Sequence, residues 1–128
     1  MLTDRDRKRL EGVHADLVRV VLRASELRSF MVIQGLRTLE EQKRLFAAGK
    51  SRTMKSRHLT GHAVDLAPLV DLDGDGDTEL SWEHAHFWPI AEAMKGAAEF
   101  LKIPIAWGGD WKSFVDAPHF ELDRKVYP

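Results

Sequence analysis

Ser56-Arg57-His58-Leu59-Thr60-Gly61-His62-Ala63-Val64-Asp65 is the stretch that decides the fold. It predicts two short extended pieces around a turn at Thr60-Gly61, the second running on to Pro68. Side chains alternate along a strand. Ala63, Asp65 and Ala67 therefore share one face, and Val64 and Leu66 share the other. A turn at Gly61 can fold Asp65 back beside His58. His62 lies between Gly61 and Ala63, faces away from Asp65, and is read as a non-ligand.

Working outward, the next informative stretches are Trp107-Gly108-Gly109-Asp110-Trp111 and Asp116-Ala117-Pro118-His119-Phe120-Glu121. His119 to Leu122 reads as a last short strand, with His119 and Glu121 on one face and Phe120 and Leu122 on the other. His58, Asp65 and His119 then make a His/Asp/His set. Two imidazoles and one carboxylate suit zinc and leave its fourth position open to water, the pattern of a catalytic site. On the residues alone, ordinary surface or core histidines remain the competing reading. Asp116, three residues before His119, could take a proton from a zinc-activated water. Glu121 either orients a ligand imidazole or pairs with Arg124. Gly108 and Gly109 can let the backbone approach a peptide substrate. Trp107 is expected in the core, and Trp111 either in the core or on a cleft wall.

The rest of the chain supplies the scaffold. A long helix is expected from Asp4 to Ala24, opened by a capping box at Thr3 and Asp6. Phe30 to Ile33 reads as a buried strand ended by Gly35. Thr38 and Glu41 form a second capping box, and Leu39, Gln42, Leu45 and Phe46 follow on one side of a helix stopped by Gly49. Arg37 falls at this strand-to-helix junction. A further helix is expected to carry Pro89 in its first turn and to reach Leu101. Ile103 to Trp107 reads as an edge strand because of Pro104. The expected class is α+β: a small antiparallel sheet flanked by helices, in a single domain over residues 1–128 with no separate wall-binding module.

Composition narrows the chemistry. The chain has 128 residues and no cysteine, which excludes disulfides, iron–sulfur clusters and a cysteine nucleophile. Lys and Arg number 19 against 20 Asp and Glu, a net charge of -1 that points to neither nucleic acid nor a membrane surface. No apolar stretch approaches the roughly 20 residues of a membrane span, and no signal peptide is read at the N-terminus. The balance hides a basic segment, Lys50 to Arg57, and an acidic loop after it. In that loop Asp71, Asp73, Asp75 and Asp77 match the first half of a calcium loop, although its twelfth position is Trp82 rather than Glu. A solvated acidic loop is the alternative.

The ordered pattern Ser56-x-His58-x-x-Gly61-x-Ala63-x-Asp65 with Asp116-x-x-His119 resembles the LAS metallopeptidases. That group includes D-Ala-D-Ala carboxypeptidases and the hedgehog signalling domain. Gly35-Leu36-Arg37-Thr38-Leu39-Glu40-Glu41-Gln42 and Trp107 to Trp111 extend the likeness, which is greatest to phage L-alanyl-D-glutamate peptidases. The resemblance implies zinc on His58, Asp65 and His119, with Asp116 as catalytic base. It implies Arg37 at the scissile carbonyl and its oxyanion, and Ser56, Gly108 and Trp111 near substrate. The implied function is hydrolysis of the L-Ala–D-Glu bond of peptidoglycan stem peptides by an endolysin. Such an enzyme is expected to be monomeric, made in the host cytoplasm and released to the wall by a holin. A D-Ala-D-Ala carboxypeptidase of the same fold and a non-catalytic zinc-bound module are the alternatives.

Overall fold

The computed structural model describes residues 2–51 and 53–128. Helices α1 (Asp4–Arg9) and α2 (Ala15–Ser25) lead into strand β1 (Phe30–Gln34) and helix α3 (Leu39–Ala47). A 3-10 turn over Arg57–Thr60 precedes β2 (Ala63–Val70) and β3 (Glu79–Leu80). Helix α4 (His84–Leu101), β4 (Ile105–Trp107), a second 3-10 turn (Gly108–Asp110) and β5 (His119–Leu122) complete the order.

The strands form one antiparallel sheet in the order β1-β2-β5-β4, with β3 paired to the far end of β2. The proline-flanked β4 lies at an edge, as expected for a strand next to a residue without an N–H. One face is apolar: Val64, Leu66, Phe120 and Leu122 are fully buried there. The core they join takes Leu17, Val20, Val21 and Ala24 from α2, and Phe87, Ile90, Met94 and Ala97 from α4. Those spacings place each set on one helix face. The sheet's other face is left for Asp65, His119 and Glu121.

Both capping boxes are present, at Thr3 with Asp6 and at Thr38 with Glu41. Asp6 does more than cap: its buried carboxylate also accepts the Val32 N–H at 2.9 Å, tying α1 to β1.

The single helix expected from Asp4 to Ala24 is two helices. The chain turns at Gly12, whose φ is +82°, and His14 caps α2 by accepting the Asp16 N–H on Nδ1. This break is where the turn after His58 docks. The Gly61 carbonyl accepts the His14 N–H at 2.8 Å, and a Cβ on Gly61 would stand 2.4 Å from the Gly12 carbonyl oxygen. The piece before that turn is a 3-10 helix rather than extended. Ser56 caps it, and Gly61 closes it in the left-handed region at φ +75°. Helix α4 begins at His84, so Pro89 lies in its second turn rather than its first.

Gly61→Ala is expected to destabilise the protein by about 1 to 3 kcal/mol, through strain at positive φ and the clash with Gly12. Gly49 has a similar φ, +74°, but open space around it. Urea midpoints should therefore show a smaller loss for Gly49→Ala. Equal losses would mean that the docking against Gly12 carries no stability.

Candidate active site

Sheet register assembles the site. Asp65 on β2 stands directly opposite His119 on β5 and is paired on its other side with Gln34 on β1. The 3-10 turn brings His58 over the same point. His58 Nε2 lies 3.2 Å from Asp65 Oδ1, and His119 Nδ1 lies 3.5 Å from that oxygen. Tetrahedral zinc with bonds of about 2.0–2.1 Å separates neighbouring donors by about 3.4 Å. The spacing of these three donors fits such an ion.

The outward nitrogens are also fixed. His58 Nδ1 donates to the Gly35 carbonyl at 2.9 Å, and His119 Nε2 to Glu121 Oε1 at 2.8 Å. Each bond fixes a proton on the outward nitrogen, so the inner nitrogen facing Asp65 is the one that gives up its proton to bind a metal. Glu121 fills both roles open to it in the sequence, since Arg124 Nε also donates to its Oε2 at 2.9 Å. His62 is no part of this group; its Nδ1 meets Thr60 Oγ1.

The site calls for positive charge. Burial raises the Asp65 carboxyl, but hydrogen bonds with His119 and His58 outweigh it and hold the group well below the usual range. Burial lowers His119, yet hydrogen bonds with Asp65 and Glu121 bring it up to about 9. Burial likewise raises Glu121, and the bonds with His119 and Arg124 carry it down to about 2. Protons on imidazole thus occupy the electrostatic place that a divalent cation would take.

Asp116 is held by its backbone: its N–H donates to the Gly108 carbonyl at 3.0 Å, and its carbonyl accepts the His119 N–H at 3.1 Å. Burial, then the charge of Asp65, raises its carboxyl above the ordinary value. Gly108 underlies this loop and does not line the cleft, because a Cβ there would stand 2.2 Å from the Asp116 carbonyl oxygen. Trp107 is core, its Nε1 donating to the Ala117 carbonyl. Trp111 walls the cleft, with its ring 5.0 Å from that of His119.

Arg37 enters from the β1–α3 junction, where its N–H donates to the His58 carbonyl at 2.9 Å. Its Nε and Nη2 donate to Gln34 Oε1 at 3.0 and 2.7 Å, and its Nη1 to Gln42 Oε1 at 2.7 Å. Nη2 lies 3.8 Å from Asp65 Oδ2. Ser56 receives the His58 N–H at 3.2 Å and touches Arg37 Nη1 at 3.5 Å, so it orients both. Gln34 and Gln42 are members of the site that sequence reasoning missed. Gln42 is fully buried, and its Nε2 donates to Ser51 Oγ and the Thr53 carbonyl. The available signal was a polar residue on the inward side of α3, in line with Leu45.

These groups line a cleft of about 480 Å³. Among the described residues, one other set of donors converges: Asp71, Asp73 and Glu79. That set shares Asp71 and Asp73 with the expected calcium loop, adds Glu79, and does not include Asp75 or Asp77. Asp71 also accepts the N–H groups of Gly74, Asp75 and Gly76, so the loop is folded around its carboxylate.

Comparison with known proteins decides the family. A family model described as phage L-alanyl-D-glutamate peptidase matches residues 1–127. The chain belongs to that family. It is 32% identical over 126 residues to the L-alanyl-D-glutamate peptidase of Escherichia phage T5, covering 94% of this chain and 87% of that protein. It is 27% identical over 108 residues to the peptidoglycan L-alanyl-D-glutamate endopeptidase CwlK of Bacillus subtilis, covering 72% of this chain and 59% of that one. The crystal structure of the Serratia marcescens L-Ala D-Glu endopeptidase ChiX superposes with a TM-score of 0.88 at 43% identity, covering 99% of this chain and 92% of that one. The α+β fold expected from the sequence is therefore the fold of this peptidase family.

The metal-free form of this family member should show a two-sided pH profile. His119, raised to about 9, adds stability that is full below 6.5 and is lost as pH rises through 9. Glu121, lowered to about 2, adds stability that is full above 4.5 and is lost as pH falls through 2. Thermal melts of chelator-treated protein should plateau between these limits and fall on both sides. Glu121→Gln should shrink both limbs without abolishing them, because Asp65 also holds the His119 proton and is itself lowered; an unaltered profile would disprove the coupling.

Proposed function

We propose that the chain is a zinc-dependent peptidoglycan endopeptidase that hydrolyses the L-Ala–D-Glu bond of stem peptides. The observation that carries the zinc reading is the set of three donors with both imidazole tautomers fixed from behind. The bond assignment is supported by the printed activities of the phage and bacterial relatives. Membership of a phage family supports a role in breaching the host wall. Release from the host cytoplasm through a holin-type pore is part of the same proposal. No helix among the described residues is long and apolar enough to cross a membrane.

His58, Asp65 and His119 would hold the ion. Zinc bound there supplies a Lewis acid and brings the pKa of a water ligand to about 7. Arg37 is fixed by two glutamines, so its charge is presented to the cleft at no further conformational loss. A guanidinium held in this way can donate to the scissile carbonyl oxygen and to the negative charge that develops on it. Asp116 takes the proton from the attacking water and passes it to the leaving D-Glu nitrogen. Its raised pKa brings the carboxyl closer to the working pH, which favours both halves of that transfer. Trp111 shields the reacting centre on the His119 side.

Digestion of purified sacculi, with the new termini identified by mass spectrometry, tests the bond. New L-Ala carboxyl and D-Glu amine ends are expected; release of D-Ala alone would assign a carboxypeptidase instead. Asp116→Ala should retain stoichiometric zinc by elemental analysis while turnover falls by about 10²- to 10⁴-fold. His119→Ala should lose both. Near-normal turnover in Asp116→Ala would refute its role as base, and zinc without any cleavage by the unaltered protein would favour a binding module.

A further inference from the structure

The cleft has a side arm that the mechanism does not use. A groove of about 340 Å³ adjoins the cleft and shares Gln34, Leu45 and Lys50 with it, with Arg44 further along. We propose that this arm is a carboxylate-reading subsite, in which Lys50 pairs with the free α-carboxylate of the D-Glu residue on the leaving-amine side of the scissile bond. The proposal deepens the endopeptidase reading and rests on it.

Charge accounting singles out Lys50. Among the described residues, four Lys and Arg side chains line the main cleft: Arg37, Lys50, Arg57 and Arg124. Arg37 is fixed by two glutamines beside Asp65 and is assigned to the scissile carbonyl. Arg57 donates to the carbonyls of Leu122 and Tyr127 and stands 3.8 Å from Glu121, which Arg124 also holds. The Lys50 ammonium has no hydrogen-bond or ion-pair partner among the described residues. Arg44 is equally unpaired among the described residues, and the Glu41 carboxylate beside it accepts from Thr38 and Gln34. With two cations, Lys50 and Arg44, against the one carboxylate of Glu41, the described residues of the arm leave a net positive charge.

Its backbone is fixed, so the point from which the flexible Lys50 side chain reaches out is defined. Helix α3 ends in a Schellman motif: the Gly49 N–H donates to the Phe46 carbonyl at 3.1 Å, and the Lys50 N–H to the Leu45 carbonyl at 2.9 Å. That closure turns the chain back and sets Lys50 at the junction of cleft and arm.

The substrate has a matching asymmetry. On the acyl side of the bond, L-Ala is joined to the lactyl group of a sugar and carries no charge. On the amine side, D-Glu is linked onward through its γ-carboxyl, so its α-carboxylate is free on the carbon that bears the scissile nitrogen. That anion enters a cleft where the three arginines already face Asp65 or Glu121, and Lys50 is the described cation left to meet it. Placing the amine side in the arm brings the anion to Lys50 and leaves Arg44 for a carboxylate further down the stem.

The test uses the zinc-loaded full chain and two synthetic muramyl-L-Ala-γ-D-Glu-diamino acid substrates. One carries the free α-carboxylate and the other the α-amide. The unaltered enzyme should favour the acid, and the preference should shrink at high salt. Lys50→Met should lower the acid-to-amide ratio of kcat/KM by about fivefold, near the upper limit for a solvent-exposed ion pair. The change should sit in KM, and Lys50→Arg should restore most of it. An unchanged ratio in Lys50→Met, or equal losses on both substrates, would overturn the subsite while leaving the endopeptidase reading in place. Cleavage of neither substrate by the unaltered enzyme would overturn both.

Discussion

One half-buried carboxylate between two imidazoles organises this protein. Asp65 Oδ1 lies within 3.5 Å of a nitrogen of both His58 and His119, and neither histidine reaches it by accident. The β2–β5 register sets His119 opposite Asp65. The docking of Gly61 on the Gly12 turn sets His58 above it. A shift of β5 by a single residue would turn His119 into the core and Phe120 into the cleft, because strand faces alternate. Such a slip would also bury a charge among Leu66 and Met94. The apolar face of the sheet thus enforces the geometry of the polar face.

The same constraint explains the surrounding network. A cluster that needs a cation is held ready by groups that take no part in the chemistry: the Gly35 carbonyl, Glu121, and behind Glu121 the guanidinium groups of Arg57 and Arg124. Arg37 is prepared in the same way by Gln34 and Gln42. Gln42 in turn anchors Ser51 and Thr53, so the segment leading to Lys50 and the segment leading to His58 are both braced against one buried amide. Fixing these groups beforehand spares the transition state the loss of side-chain freedom.

Much of this was legible in the sequence, for identifiable reasons. Strand alternation was enough to put His119 with Glu121 and Asp65 with Ala63, because a period of two admits only two faces. Capping boxes located the starts of α1 and α3. Periodicity ran through the break at Gly12, since Leu10, Val13 and Leu17 keep helical spacing across a turn that only the long-range contact with Gly61 explains. The start of α4 was set too late because Pro89 reads as a first-turn residue, whereas tertiary packing of Phe87 extends the helix ahead of it. Gln34 and Gln42 were not read as site residues, although Gln42 stands out as a polar residue on the inward side of α3. Their role depends on where a guanidinium from another element comes to rest, and no local pattern records that. Gly108 was assigned to substrate when its lack of a side chain is needed by the backbone of Asp116.

X-ray absorption at the zinc K-edge tests the central claim most directly, because it counts the ligands in the loaded protein in solution. Two imidazoles and further oxygen donors at about 2.0–2.1 Å are predicted. A zinc shell with one imidazole or with three, or failure of the folded chain to retain zinc, would contradict the assignment of His58, Asp65 and His119.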